Sequence, residues 1–354
     1  MDLTITARDI VGKDPFGRFL AWVKLKPWQA ALLSFSFFLV YMLVLPACFD
    51  VLFPRDGLER SSIVDRVNQV GFWVIHPAVV FFYVWQPASI AGLYSLILPL
   101  APSSMLDGLS RAARISHKTA RGWVLGVLSG AIVVYLGVIF ILEHMGARWY
   151  SINWLMAAIL QVSRFLLFYM IVVVFVRHLL VAFNLNRVYH HVKLPVLMGQ
   201  SKYGTAFDAI TSYGMVFAGF GAILGLFVTM RHLYSTPVFP EDAIYLGLYL
   251  ILMPLAFLLP FWQAHVNMRS ARMTALRQIS DLLQDEYDRL MTDVSCGVGA
   301  EFSSERIKSL RALLELTEKA PIWPFENWII YRVFAATIFP LVMTGLGFLF
   351  ELML

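Results

Sequence analysis

Apolar residues gather into seven long runs, residues 28–53, 70–100, 122–142, 152–183, 205–230, 243–266 and 328–354. A helix needs about 20 apolar residues to cross the hydrocarbon core of a bilayer, and each run is long enough. Several carry internal prolines: Pro77 and Pro87 in the second, Pro254 and Pro260 in the sixth, Pro340 in the seventh. The second run, at roughly 31 residues, fits either one tilted helix or a span joined to an interfacial helix. The pattern predicts an all-α fold, a polytopic membrane bundle of about seven transmembrane helices.

The polar segments between the runs set the expected orientation, because Lys and Arg collect on the cytoplasmic side. The N-terminal segment carries Arg8, Lys13, Arg18, Lys24 and Lys26, with neither a short apolar core nor a cleavage site of the secretory kind. Arg111, Arg114, Lys118 and Arg121 lie between the second and third runs. Arg187, Lys193 and Lys202 lie between the fourth and fifth, and Arg269, Arg272 and Arg277 follow the sixth. All four segments fall on one side if the N-terminus is cytoplasmic. The remaining connections, 54–69, 143–151 and 231–242, are short or mixed in charge. The expected protein is a multi-pass cell-membrane protein with its C-terminus outside.

The only sizeable polar stretch is 267–327, and it holds two helical patterns. Met273, Leu276, Ile279, Leu283, Tyr287 and Leu290 recur at spacings of three or four and continue the sixth run. Gly297 and Gly299 mark a turn. Ser303 or Ser304 could cap a second helix with Ile307, Leu310 and Leu314 on one face, ended before Pro321 and Pro324. The expected organisation is a cytoplasmic segment 1–27, a six-helix bundle 28–266, a cytoplasmic helical hairpin 267–327 and a final transmembrane helix 328–354.

Composition agrees with a membrane protein. Of 354 residues 59% are hydrophobic and 14% charged, against about 25% charged in soluble domains. The net charge of +5 fits cytoplasmic loops facing anionic lipid. No basic stripe with interleaved aromatics argues for nucleic acid. Cys48 and Cys296 fall on opposite sides of the expected topology and imply no disulfide.

Arg164 is the most informative single position. It lies about 12 residues into the fourth run, roughly 18 Å at 1.5 Å per residue, near the bilayer middle. An arginine there costs at least about 2.5–3.5 kcal/mol and should face the bundle interior or water. Gln161 lies one turn away on the same face. Trp85 and Tyr83 in the second run and Tyr135 in the third could line an apolar ligand pocket with them; the bland alternative is core packing and an interfacial belt. In the seventh run Thr337 and Thr344 lie along the helix and Glu351 at its outer end. If identical copies met around an axis, the threonines could line a pore and Glu351 form an acidic ring favouring cations. The alternative is an ordinary packed or lipid-facing helix.

Other chemistry finds little support. There is no HExxH or repeated histidine box, so no metal or other cofactor is expected. There is no G-x-S-x-G and no Walker sequence, so no enzyme is expected. Gly122, Gly126 and Gly130, with Gly221 and Gly225, read as faces for close helix packing.

The layout of seven spans, an inside N-terminus and a helical cytoplasmic hairpin leading into a final span resembles the insect odorant and gustatory receptor superfamily of tetrameric ligand-gated cation channels. The likeness covers the order and length of elements along the whole chain. It implies a homo-oligomer, most simply a tetramer, with the last span lining the pore and a small apolar ligand in the bundle. No site residue is carried over, because Tyr331 stands at the inner end of the last run and no glutamine follows it. The expectation is a ligand-gated cation channel in contact with membrane lipid and not with nucleic acid. The alternatives are a non-conducting scaffold or sensor that docks a cytoplasmic partner, and a small-molecule transporter.

Overall fold

The computed structural model describes residues 4–58, 60–119, 122–144, 148–192, 201–234, 254–296, 301–320, 322–323, 331, 335, 338 and 342. Among these the chain is helical, apart from a single isolated bridge between Arg60 and Arg148. Among the described residues four helices are long and apolar enough to cross a membrane: Pro27–Cys48, Arg66–Leu100, Trp154–His191 and Thr205–Met230. They fall on the first, second, fourth and fifth apolar runs. The third run forms a helix, Gly122–His144, with a shorter apolar stretch at Val124–Tyr135. Only the end of the sixth run and four separate positions of the seventh lie among the described residues.

The N-terminal segment forms two short helices, α1 (Ala7–Val11) and α2 (Pro15–Val23). Local chemistry explains α2. Asp14 accepts from the Gly17 amide, and Pro15 opens the first turn, where a missing N–H costs nothing. The helix stops at Lys24, whose φ of 57° is left-handed. Pro27 then starts α3 (Pro27–Cys48), where the Gln29 side chain accepts from the Lys26 amide.

The second run is one continuous helical stretch rather than a span with a separate interfacial helix. Helix α4 (Arg66–Val70) passes through a π-helical segment, Gly71–Ile75, into α5 (His76–Ile97). Residues 103–119, expected as part of the loop between the second and third runs, instead form the amphipathic α6 (Ser103–Thr119), on which Arg111 and Lys118 are exposed and Arg114 is half-buried. After α7 (Gly122–His144) come α8 (Trp154–His191), capped by Asn153, and α9 (Ser201–Tyr234). The last two described helices are α10 (Trp262–Ser295) and α11 (Glu301–Glu318). Helix α10 continues straight from the end of the sixth run, and α11 begins ahead of Ser303 and Ser304. Buried Glu286 holds the two helices together, accepting from Arg289 at 3.2 Å and from Arg306 at 3.0 Å.

Three apolar clusters follow one another along the bundle. The first holds Phe38, Tyr41, Phe72, Trp149 and Leu160. The second holds Ala30, Val79, Tyr83, Met170 and Phe217. The third holds Tyr94, Leu185, Tyr189, Phe207 and Phe261. Residue numbers rise in this order on α5 and α8 and fall on α3 and α9. Helices α5 and α8 therefore run parallel, with α3 and α9 antiparallel to them.

Candidate ligand cavity and the buried ion pair beside it

A cavity of about 600 Å³ lies between α2, α3, α5 and α8. That volume is in the range of small-molecule sites. Helix α2 contributes Phe16, Phe19 and Leu20, α3 contributes Leu33 and Phe37, and α8 contributes Val162 and Leu166. Val80 and Met170 are buried at its back. Its mouth is open: Leu33 is 62%, Phe37 53% and Val162 58% exposed. The opening therefore lies on the flank of the bundle between α3 and α8.

The polar groups in the wall are Ser34, His76 and Ser163, and no charged side chain joins them. The Ser34 hydroxyl lies 2.9 Å from His76 Nδ1. The imidazole also packs on Phe38, with ring centroids 4.4 Å apart. His76 Nε2 is buried without a hydrogen-bond partner among the described residues. Such a wall suits a neutral, apolar body.

Next to the cavity lies a buried ion pair. Arg177 on α8 donates to Asp14 at 2.7 Å, with side chains 4% and 8% exposed. The same carboxylate accepts from Gly17 N at 3.1 Å, from the Tyr169 hydroxyl at 2.8 Å and from the Tyr83 hydroxyl. Arg177 also donates to the Tyr83 carbonyl at 3.2 Å and lies 4.8 Å above the centre of that ring. Four donors on one carboxylate are what a buried charge needs. Gly17 permits this, since a Cβ there would come within 2.8 Å of the carboxylate. Phe16 links the two features, because it lines the cavity and sits 5.7 Å from the Tyr83 ring.

Two further polar groups occupy the core. The His178 ring lies between the Ala256 carbonyl, 2.7 Å from Nε2, and the Tyr213 hydroxyl, 3.3 Å from Nδ1. Nε2 therefore donates, and Nδ1 accepts from Tyr213. Gln86 donates to the Val174 carbonyl at 2.9 Å and to Tyr213 at 3.3 Å. Toward α6, Tyr94 accepts from Asn184 at 3.0 Å and lies 3.2 Å from His117 Nε2. Burial, helped by the Arg177 charge, pushes the His117 imidazole down to about 4.

The residues singled out from the sequence are distributed differently. Tyr83 is buried on Asp14 and packs against Phe16 of the cavity wall. Trp85 is half-buried and stacks on Tyr213 at 5.8 Å. Gln161 is half-buried against Gly137 of α7. Arg164 is half-buried, and its charge acts on Tyr41. Tyr135 is 51% exposed on α7. None of the five is in the cavity wall. Thr337, Thr344 and Glu351 lie outside the described residues. Asp14 and Arg177 were not singled out. The signal for Asp14 was the Asp-Pro pair that caps α2, while Arg177 reads in sequence as an ordinary interfacial cation. Among the described residues no group of three or more His, Cys, Asp or Glu could hold a metal, and Cys48 and Cys296 are both exposed and free. Comparison with protein-family models, curated proteins and solved structures finds no match for this chain.

Proposed function

We propose that the chain is an integral membrane receptor for a small apolar or amphipathic molecule, which enters from the bilayer and rests in the cavity between α2, α3, α5 and α8. The observation that carries this reading is the cavity itself, apolar apart from Ser34, His76 and Ser163, uncharged, and open on the flank of the bundle. The length of α3 supports a membrane frame. Its 22 residues extend about 33 Å, close to the roughly 30 Å hydrocarbon thickness. In that frame the start of α3, with α2 and the Asp14–Arg177 pair at the same level, stands at one membrane boundary. The cavity mouth then opens into lipid.

The second half of the proposal is coupling. Phe16 touches the cavity and Tyr83, so an occupant pressing on α2 bears on the ion pair and through it on α8. In a homo-oligomer, most simply a tetramer, joined through α10 and α11, such a shift would gate a cation pore lined by the final helix. The N-terminus is cytoplasmic and the C-terminus extracytoplasmic in this proposal, on the strength of the basic segments.

Binding is tested with the purified protein and a lipophilic fluorescent reporter, N-phenyl-1-naphthylamine. Saturable enhancement is expected for wild type and its loss for Ala158→Trp, which places an indole in the wall. Equal enhancement in both would remove the receptor reading. Conduction is tested in liposomes. Cation currents that the reporter or its competitors modulate support the channel half, and electrical silence across broad ligand screens counts against it.

A further inference from the structure

We infer that the natural occupant of the cavity is the acyl chain of an anionic lipid, whose headgroup is held at Lys24 and Lys26. This rests on the cavity being a ligand site, and it adds the class of ligand and the way it is oriented.

The wall and its rim differ in chemistry. Along α3 the wall runs from Ala30 to Phe38 with Ser34 its only polar side chain. From Lys26 to Phe38 the helix rises about 18 Å, close to the roughly 15 Å of one leaflet. A chain lying there would start at a boundary and end near the bilayer middle. At the boundary end, Leu25 is part of the wall and is flanked by Lys24 and Lys26, both exposed and without an ion-pair partner among the described residues. Arg18 flanks Phe19 in the same way.

No acidic residue occurs between Asp14 and Asp50. Asp14 is itself neutralised by Arg177. The stretch of chain that forms this rim therefore carries charges of one sign, and Lys and Arg near a membrane surface attract anionic headgroups. Trp22 and Trp28, 78% and 56% exposed, flank the same turn. Exposed tryptophans of this kind settle at headgroup depth. An apolar slot one leaflet deep, a cationic rim and an indole belt together describe a lipid seated with its charge at the α2–α3 turn.

The test uses the full chain in nanodiscs of equimolar phosphatidylglycerol and phosphatidylcholine with matched acyl chains, and reads retained lipid by native mass spectrometry after transfer to detergent. Wild type should retain phosphatidylglycerol in preference. K24Q/K26Q should lower that preference about tenfold or more, because both surface cations are removed. Ala158→Trp should release lipid of both kinds, and Leu33→Trp gives a second obstruction at an exposed position. Equal retention of both lipids by wild type, or an unchanged preference in K24Q/K26Q, overturns the inference. If the tryptophan variants still release lipid in that case, the cavity reading survives. If the tryptophan variants hold as much lipid as wild type, the cavity reading itself fails.

Discussion

Replacing Arg177 by methionine removes the cation from a pair whose two side chains are almost wholly enclosed. Breaking a buried pair from one side costs about 3–5 kcal/mol, because the other charge stays behind uncompensated. The two sides differ here. Without Arg177, Asp14 keeps Gly17 N, Tyr83 and Tyr169 as donors. Its loss should stand at the lower end, about 3 kcal/mol. Asp14→Leu leaves the guanidinium with one carbonyl and a ring face. It also strips two buried tyrosine hydroxyls of their acceptor and removes the α2 cap. Its cost should be about 5 kcal/mol. The double variant replaces both charges with apolar groups, so its cost should fall below the sum of the single costs by about 2 kcal/mol or more. The assay is reversible unfolding in mixed dodecyl sulfate micelles, run as a double-mutant cycle. Costs that simply add, within about 0.5 kcal/mol, would show that the two residues do not act as a pair.

Other consequences follow from the same geometry. Gly12 has φ 57°, and a Cβ there would come within 2.8 Å of the His117 carbonyl, whereas Gly57 at φ 79° has open space around it. Gly12→Ala should therefore cost more than the roughly 1–2 kcal/mol that left-handed backbone alone imposes on Gly57→Ala, as read by thermal melting in detergent. The folded His117 imidazole protonates only near 4, while in the unfolded chain it does so near 6.5. Protons then favour the unfolded chain between those values. Stability should be full above about 6.5, fall by about 3 kcal/mol as pH drops toward 4, and lose most of that slope in His117→Gln. Glu286→Gln loosens two pairs whose arginines are 65% and 50% exposed, so the expected cost is small. About 1 kcal/mol, with faster hydrogen exchange confined to α10 and α11, is the result to look for.

Hydropathy located the four helices that are long and apolar enough to cross a membrane, and the three- and four-residue spacing of Met273 to Leu290 located the helix that continues from the sixth run. It did not separate the second run into one helix or two. That depended on a π-helical segment at Gly71, where Phe227 of α9 packs closely against the backbone. It also read 101–121 as a loop, since the charges of α6 mask an apolar face that packs on α1 and α8 through Leu109 and Ala113. The site was the least legible part. Arg164 stood out because its depth was unusual, whereas the more tightly buried arginine is Arg177. Its partner, Asp14, lies 163 residues away in a segment that looked like a basic tail. Nothing in a linear pattern joins those two, and a cavity formed by four helices has no sequence signature beyond ordinary apolar residues.

The proposed receptor takes up a lipophilic molecule through the lateral mouth of the cavity. The most direct measurement is photolabelling of the membrane-embedded protein with a hydrophobic diazirine, followed by mapping of the adducts. Labels should concentrate on residues 30–38 of α3 and 158–170 of α8 and be lost in Ala158→Trp. Labelling spread evenly over all lipid-facing helices, and unchanged in that variant, would contradict that uptake.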